Sequence, residues 1–533
     1  MKRILTLLVC LLSPLCSFAA DSAAPHVDTP LGKVVGRFAD GNRDVEVYKG
    51  IPYAVPPVGS RRWKPAEPTS AWPEPLIADR FGPDCVQPAT MDIVPEPEKD
   101  WYYHAPSLTS EDCLYLNVWR PASREQKSLP VMVWIHGGGL VQGSGSWPLY
   151  DGAQLARKGV VLITLNYRLG VFARFAHPEL TAESAWRSSG AYDMSDLIRA
   201  LQWVQQNVAA FGGDPGNVTV FGESAGSLYV AELMSSPLAR GLFHRAIGES
   251  GGAFYDHMPT LETAEAKGVE LANAIGQPTL TRLRELPAAE LLKRSREQKY
   301  FMDPVVEGHF LPETPCKVFE QGKQIDVPLL VGFNGEEHYG YRPPLPAFEN
   351  FGAYEKYVRG ALNEMAYLNP GLADGFLALL PKSRWTSSLA PRAIRGYAIT
   401  GWEMESWAAM MSRVSSKAYL YYFSHVPAGS QASFHTAELS YVFNNERDTP
   451  RYSPNMPTVS PPPAADLALA EAMSDYWVAF ARTGVPAVKG RPDWKPFVQD
   501  QARHFMEFKA GAPVPGDRFF PELQHKSICQ VLR

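Results

Sequence analysis

Val218-Thr219-Val220-Phe221-Gly222-Glu223-Ser224-Ala225-Gly226 runs from a β-branched apolar stretch into a helical one, Ser227 to Ser235, with one serine set among small residues. A chain that turns this sharply from strand to helix needs glycine or alanine on both sides, and it presents the serine Oγ on strained backbone. The expected structure is a nucleophile elbow at the carboxyl edge of a sheet. A second G-x-S-x-G occurs at Gly248-Glu249-Ser250-Gly251-Gly252. The residues after it, Ala253 to Pro259, are a poor helix start, so context selects Ser224.

Working outward, Val131 to Ile135 and Val160 to Leu165 are continuous apolar runs, as expected for strands buried on both faces of a parallel sheet. Between them and the elbow, Leu197, Leu201, Val204, Val208 and Phe211 recur at helical spacing until Gly212-Gly213 stops the pattern. Further strands fit Val327 to Phe333 and Ala418 to Phe423, and a late helix fits Asp466 to Arg482. Lys33 to Arg37 and Val45 to Tyr48 suggest an antiparallel edge. Strand and helix alternate, which is the α/β class with a large, mostly parallel sheet flanked by helices. Residues 255 to 326 and 341 to 417 read as helical insertions over one edge of the sheet. No break divides residues 21–533 into separate domains.

A serine nucleophile needs donors for the oxyanion that develops on its substrate. His136-Gly137-Gly138-Gly139 follows the strand ending at Ile135, and glycines there let backbone N–H groups turn toward a substrate. The N–H of Ala225 would complete the set. The spacing fits neither phosphate-binding glycine pattern. If the order serine, acid, histidine that goes with such an elbow applies, the acid and base lie later in the chain. Glu336 and Glu337 sit just past the strand ending at Phe333; His425 and His435 follow the strand ending at Phe423, and spacing alone leaves both histidines open.

Composition narrows the function. Of 533 residues 45% are hydrophobic and 20% charged, and the formal net charge is −5 without a basic run, so a nucleic-acid binder is not expected. Lys2-Arg3, an apolar stretch from Ile4 to Leu12, Pro14 and Ala19-Ala20 form a secretory signal peptide over residues 1–20, too short for a membrane span. Secretion or periplasmic export is therefore expected. Beyond Cys10 and Cys16 in the leader, Cys85, Cys113, Cys316 and Cys529 allow three connectivities. The sequence-local pair Cys85 and Cys113 is taken as one bridge, which leaves Cys316 with Cys529.

The chain resembles the type-B carboxylesterases, the cholinesterase-like branch of the α/β-hydrolase fold. The resemblance rests on Gly50-Ile51-Pro52-Tyr53-Ala54, Glu111-Asp112-Cys113-Leu114-Tyr115-Leu116-Asn117-Val118, Asn166-Tyr167-Arg168, Phe211-Gly212-Gly213-Asp214-Pro215 and the elbow. It implies a triad of Ser224, Glu337 and His435, oxyanion donors at Gly138, Gly139 and Ala225, and a Cys85–Cys113 bridge. His136, Glu223, Ser250 and Glu438 would support the site from behind. The implied activity is hydrolysis of a small-molecule carboxylic ester through an acyl-enzyme, with no metal or organic cofactor. The same machinery would also serve an amide, carbamate or lactone, and the family includes non-catalytic binding proteins. The chain departs from the family at His338, where glycine is usual, and at Arg174, which would either meet an acidic substrate group or be an outward or ion-paired arginine. Trp101-Tyr102-Tyr103 would form an aromatic lip to the active-site gorge.

Overall fold

The computed structural model describes residues 24–89, 108–125, 127–254, 258–337, 348–363, 400–430, 432–446, 461–498, 504–509 and 511–517, with a few isolated positions between 373 and 385. The leader, the Trp101 loop, His338 and Cys529 lie outside the described residues.

Eleven strands form the central sheet. They are β1 (Arg37–Phe38), β2 (Val45–Pro52), β3 (Tyr115–Pro121), β4 (Leu129–Ile135), β5 (Val161–Leu165), β6 (Gly213–Glu223), β7 (Arg245–Glu249), β8 (Leu329–Asn334), β9 (Ala418–Phe423), β10 (His504–Lys509) and β11 (Ala512–Asp517). Their order across the sheet is β11-β10-β9-β8-β7-β6-β4-β5-β3-β2-β1. Every pair from β10 across to β5 is parallel. Antiparallel strands close both edges, β11 on one side and β3, β2 and β1 on the other.

The continuous apolar runs have a direct structural consequence. In β4, Val131, Val133 and Ile135 join one hydrophobic core, while Met132 and Trp134 join another on the opposite face. Successive side chains of a strand point to opposite faces, so a strand covered on both sides must be apolar at every position. Helices α1 (Tyr192–Asn207), α2 (Ala225–Ser235) and α3 (Trp402–Met410) cover the first face through Leu197, Leu228 and Trp407. Helix α4 (Ala464–Thr483) covers the second through Met473 and Trp477. After α1 a 3₁₀ turn runs to Phe211, and Gly212 at φ 81° ends it in the left-handed region.

Lys33 to Arg37 is not one strand. Gly36 divides it between β1 and a separate three-stranded sheet, because the backbone there passes so close to β2 that a Cβ on Gly36 would lie 2.5 Å from the Val47 carbonyl oxygen. No described helix is long and apolar enough to cross a membrane.

Cys85 and Cys113 are bridged across a sequence separation of 28, with Cα atoms 4.9 Å apart. Cys316 is also disulfide-bonded; its expected partner is Cys529. Closing a loop of this length removes unfolded-state entropy equivalent to about 3 to 4 kcal/mol in the chain-entropy model. Replacing both Cys85 and Cys113 with alanine should therefore lower the unfolding free energy by about that amount. Denaturant unfolding checks it, and an unchanged midpoint at unchanged slope would refute it.

Candidate active site

The elbow joins β6 to α2. Ser224 stands between them at φ 53° and ψ −122°, in the sparsely populated region that the motif requires. Its N–H continues the β6–β7 ladder by donating to the Glu249 carbonyl at 2.8 Å, and its carbonyl accepts the first helical bond from the Leu228 N–H. The glycines have a steric reason. A Cβ on Gly226 would lie 1.9 Å from the Ile135 carbonyl oxygen, and one on Gly222 would lie 2.6 Å from the Gly226 carbonyl carbon. The helix start thus packs against the end of β4 with no room for a methyl group. Within this turn Ser224 alone is partly exposed; its neighbours are buried.

The end of β4 leads into the glycine loop. Gly138 and Gly139 have φ of 112° and 62°, which favour glycine. A Cβ on Gly137 would lie 3.1 Å from Ser224 Cβ, so the loop runs directly beside the serine. His136 heads the loop, fully buried, and burial pushes its imidazole down to about 4, which keeps it neutral at physiological pH. On the far side of the loop the amide of Gln87 bonds both backbone groups of Gly143: Nε2 donates to its carbonyl at 2.9 Å and Oε1 accepts from its N–H at 3.0 Å.

Glu337 and His435 reach the same edge of the sheet from the loops after β8 and β9. Glu337 Oε2 accepts from His435 Nδ1 at 2.6 Å, and Glu337 Oε1 accepts from the Asn334 N–H at 2.6 Å. Asn334 Nδ2 donates to the Phe434 carbonyl at 2.8 Å and to Glu438 Oε2. The last residue of β8 thereby ties both loops together, a role the sequence reading did not assign. Its only sequence signal is its place three residues before the acid. Glu336 is half-buried and pairs through its backbone with Phe434. His425 faces elsewhere, with Nε2 3.1 Å from Asp466 Oδ1.

On its other side, His435 Nε2 lies 3.0 Å from Glu223 Oε1. Glu223, Glu249, Glu337 and Glu438 are all buried, and His435 is only 14% exposed. Burial holds the Glu223 and Glu249 carboxyls well above the ordinary range and lifts Glu438 to about 7. Burial also opposes the charge on His435, but the acidic neighbours, Glu223 foremost when it is ionised and then Glu337, outweigh it and raise the imidazole to about 9. Ser250 repeats the local backbone of Ser224, with φ 55°, one strand over. It is 3% exposed, is followed by irregular chain, and its Oγ donates to Glu438 Oε1 at 3.4 Å.

A family model described as the carboxylesterase family matches residues 23–515. The chain belongs to the carboxylesterase family. This carboxylesterase is 35% identical to the fumonisin B1 esterase of Sphingopyxis macrogoltabida over 85% of its own length and 82% of the relative's. It is 34% identical to the para-nitrobenzyl esterase of Bacillus subtilis (strain 168) over 92% and 96% of the two chains. A solved PNB esterase structure superposes with a TM-score of 0.77 at 31% identity, covering 95% of this chain and all of that one. The fold is accordingly the α/β-hydrolase fold, and the chain is a carboxylic ester hydrolase. Arg174 is buried with Nε 2.6 Å from Asp193 Oδ2, so of the two expected outcomes the structure has the ion pair.

Proposed function

We propose that this carboxylesterase cleaves its ester through an acyl-enzyme on Ser224. His435 Nε2 takes the Ser224 proton as Oγ attacks the acyl carbon, and the N–H groups of Gly138, Gly139 and Ala225 receive the oxyanion. Collapse of the tetrahedral intermediate expels the alcohol, which leaves with the proton from His435. A water deprotonated by His435 then hydrolyses the acyl-enzyme. Glu337 fixes the imidazole tautomer and balances the imidazolium charge. The observation that carries this reading is the 2.6 Å bond from His435 to Glu337 at the sheet edge where Ser224 stands in the elbow conformation. Labelling the protein with a fluorophosphonate and mapping the modified peptide tests it. Label on the Ser224 peptide is expected, and label on the Ser250 peptide instead would overturn the assignment. The leader and the disulfides support the further reading that the enzyme acts after export.

The carboxylates around His435 have a kinetic consequence. The general base must be neutral, and a pKa raised to about 9 keeps the imidazole protonated through neutral pH. kcat/KM should therefore rise with pH and level off only near pH 9, falling about tenfold per unit below that. Glu223→Gln removes the largest contribution to the rise, so the inflection should move toward acid. An unmoved inflection in that variant would show that Glu223 carries no charge while His435 titrates.

A further inference from the structure

Arg174 takes no part in the chemistry proposed above, yet its ion pair stands at one end of a run of buried rings that finishes at the glycine loop. Its Nε lies 2.6 Å from Asp193 Oδ2, and Nη2 lies 3.6 Å from Glu232 Oε1. The same Asp193 oxygen accepts from the Tyr229 hydroxyl at 2.7 Å, while the Arg174 guanidinium sits 5.3 Å from the centre of the Tyr229 ring. Tyr229 meets Tyr167 edge to face at 4.9 Å and 72°. Tyr167 lies flat on the His136 imidazole, 4.3 Å away and 16° from parallel, and its hydroxyl donates to the His136 carbonyl at 2.6 Å. That carbonyl belongs to the peptide that enters Gly137.

We propose that Arg174 is a positioning residue for oxyanion stabilisation, acting through Asp193, Tyr229 and Tyr167 to hold the His136 end of the glycine loop. Glycines give a loop the freedom to aim its N–H groups but supply no side chains to keep them aimed, so rigidity must come from outside. The ring stack and the Tyr167 hydroxyl supply it at the loop entrance. Asp193 fixes the Tyr229 hydroxyl, and Arg174 keeps Asp193 and the nearby Glu232 compensated inside the core. This inference rests on the oxyanion reading of Gly138, Gly139 and Ala225.

Three variants test it on the full chain: Tyr167→Phe, Tyr229→Phe and Arg174→Gln. The readouts are kcat and KM on para-nitrophenyl butyrate, Ki for an aryl trifluoromethyl ketone, and Tm. The ketone adds to the nucleophilic serine and places an oxyanion in the site. Small misplacements of aimed groups carry large rate costs, so Tyr167→Phe should lower kcat by about tenfold, raise Ki by a similar factor and leave KM within about twofold. Tyr229→Phe should act in the same sense, and its effect should largely disappear in the Tyr167→Phe background, because the two act along one line. Arg174→Gln should follow Tyr229→Phe if it folds, and the two tyrosine variants decide the question if it does not. A purely structural role would lower Tm in all three while leaving kcat and Ki unchanged, and that result would overturn the inference. Additive effects of the two tyrosine changes would overturn it as well. Failure of the oxyanion reading itself would look different: the wild-type enzyme would not bind the ketone more tightly than the corresponding methyl ketone.

Discussion

Ser224→Ala should lower kcat by about 10⁴ to 10⁶, the range for removing the nucleophile of a serine hydrolase, while Ser250→Ala should keep most of the activity. The two serines are a controlled comparison within one molecule. Both follow a Gly-Glu pair at the end of neighbouring parallel strands, and both have φ near 55°. They differ in what comes next. After Ser224 the chain enters α2, whose start is pressed against β4 by Gly226, and the side chain is partly open beside the glycine loop. Ser250 is followed by irregular chain and is buried against Glu438. Steady-state kinetics of both variants at saturating substrate decide between them. Substantial turnover by Ser224→Ala with loss in Ser250→Ala would reverse the assignment.

The second large effect is expected at Glu337. Glu337→Gln preserves the shape of the side chain but removes the charge opposite the His435 imidazolium, and its amide can favour the wrong tautomer. The corresponding change in the best-studied serine protease triad costs about 10⁴ in kcat. Here the loss should be of that order, because Glu337 bonds His435 Nδ1 at 2.6 Å and has little else to do there beyond accepting the Asn334 N–H. Glu336→Gln should cost less than about tenfold, since adjacent residues leaving a strand project in different directions and Glu336 meets the loop of His435 through its backbone bridge to Phe434. Measuring kcat for both separates them. A large loss at Glu336 with near-normal Glu337 would place the acid one residue earlier.

What could be read from the sequence followed how local each signal was. The elbow was legible because strand, turn and helix lie within about twenty residues and show one short pattern of small residues around Ser224, although the carbonyl that leaves no room for a Cβ on Gly226 is that of Ile135, far away in sequence. β4, β5, β8 and β9 were legible as unbroken apolar runs. β10 and β11 were not: His504-Phe505-Met506-Glu507-Phe508-Lys509 mixes charged residues into a short run beside the edge strand, and β11 carries prolines and a glycine. β7 mixes Arg245, Gly248 and Glu249 into five residues. The choice of His435 over His425 came from family resemblance, because the distance along the chain does not say which histidine turns toward Glu337. Tyr167, Asn334 and Gln87 were missed as supports of the site for the same reason. Each acts on a partner far away in sequence, and a tyrosine, an asparagine or a glutamine has no pattern that announces it.

The Cys85–Cys113 bridge bears on how the protein should be produced and handled. Two residues past Cys85, Gln87 holds Gly143, and a Cβ on Gly143 would lie 2.2 Å from the His136 ring. The covalent link therefore anchors the chain segment from which the glycine loop is gripped. A host that folds the chain in a reducing cytoplasm, or a purification buffer rich in thiols, would yield a population with that anchor cut. Specific activity should then vary between preparations with the fraction of oxidised protein, and titrating free thiols before each assay would make batches comparable.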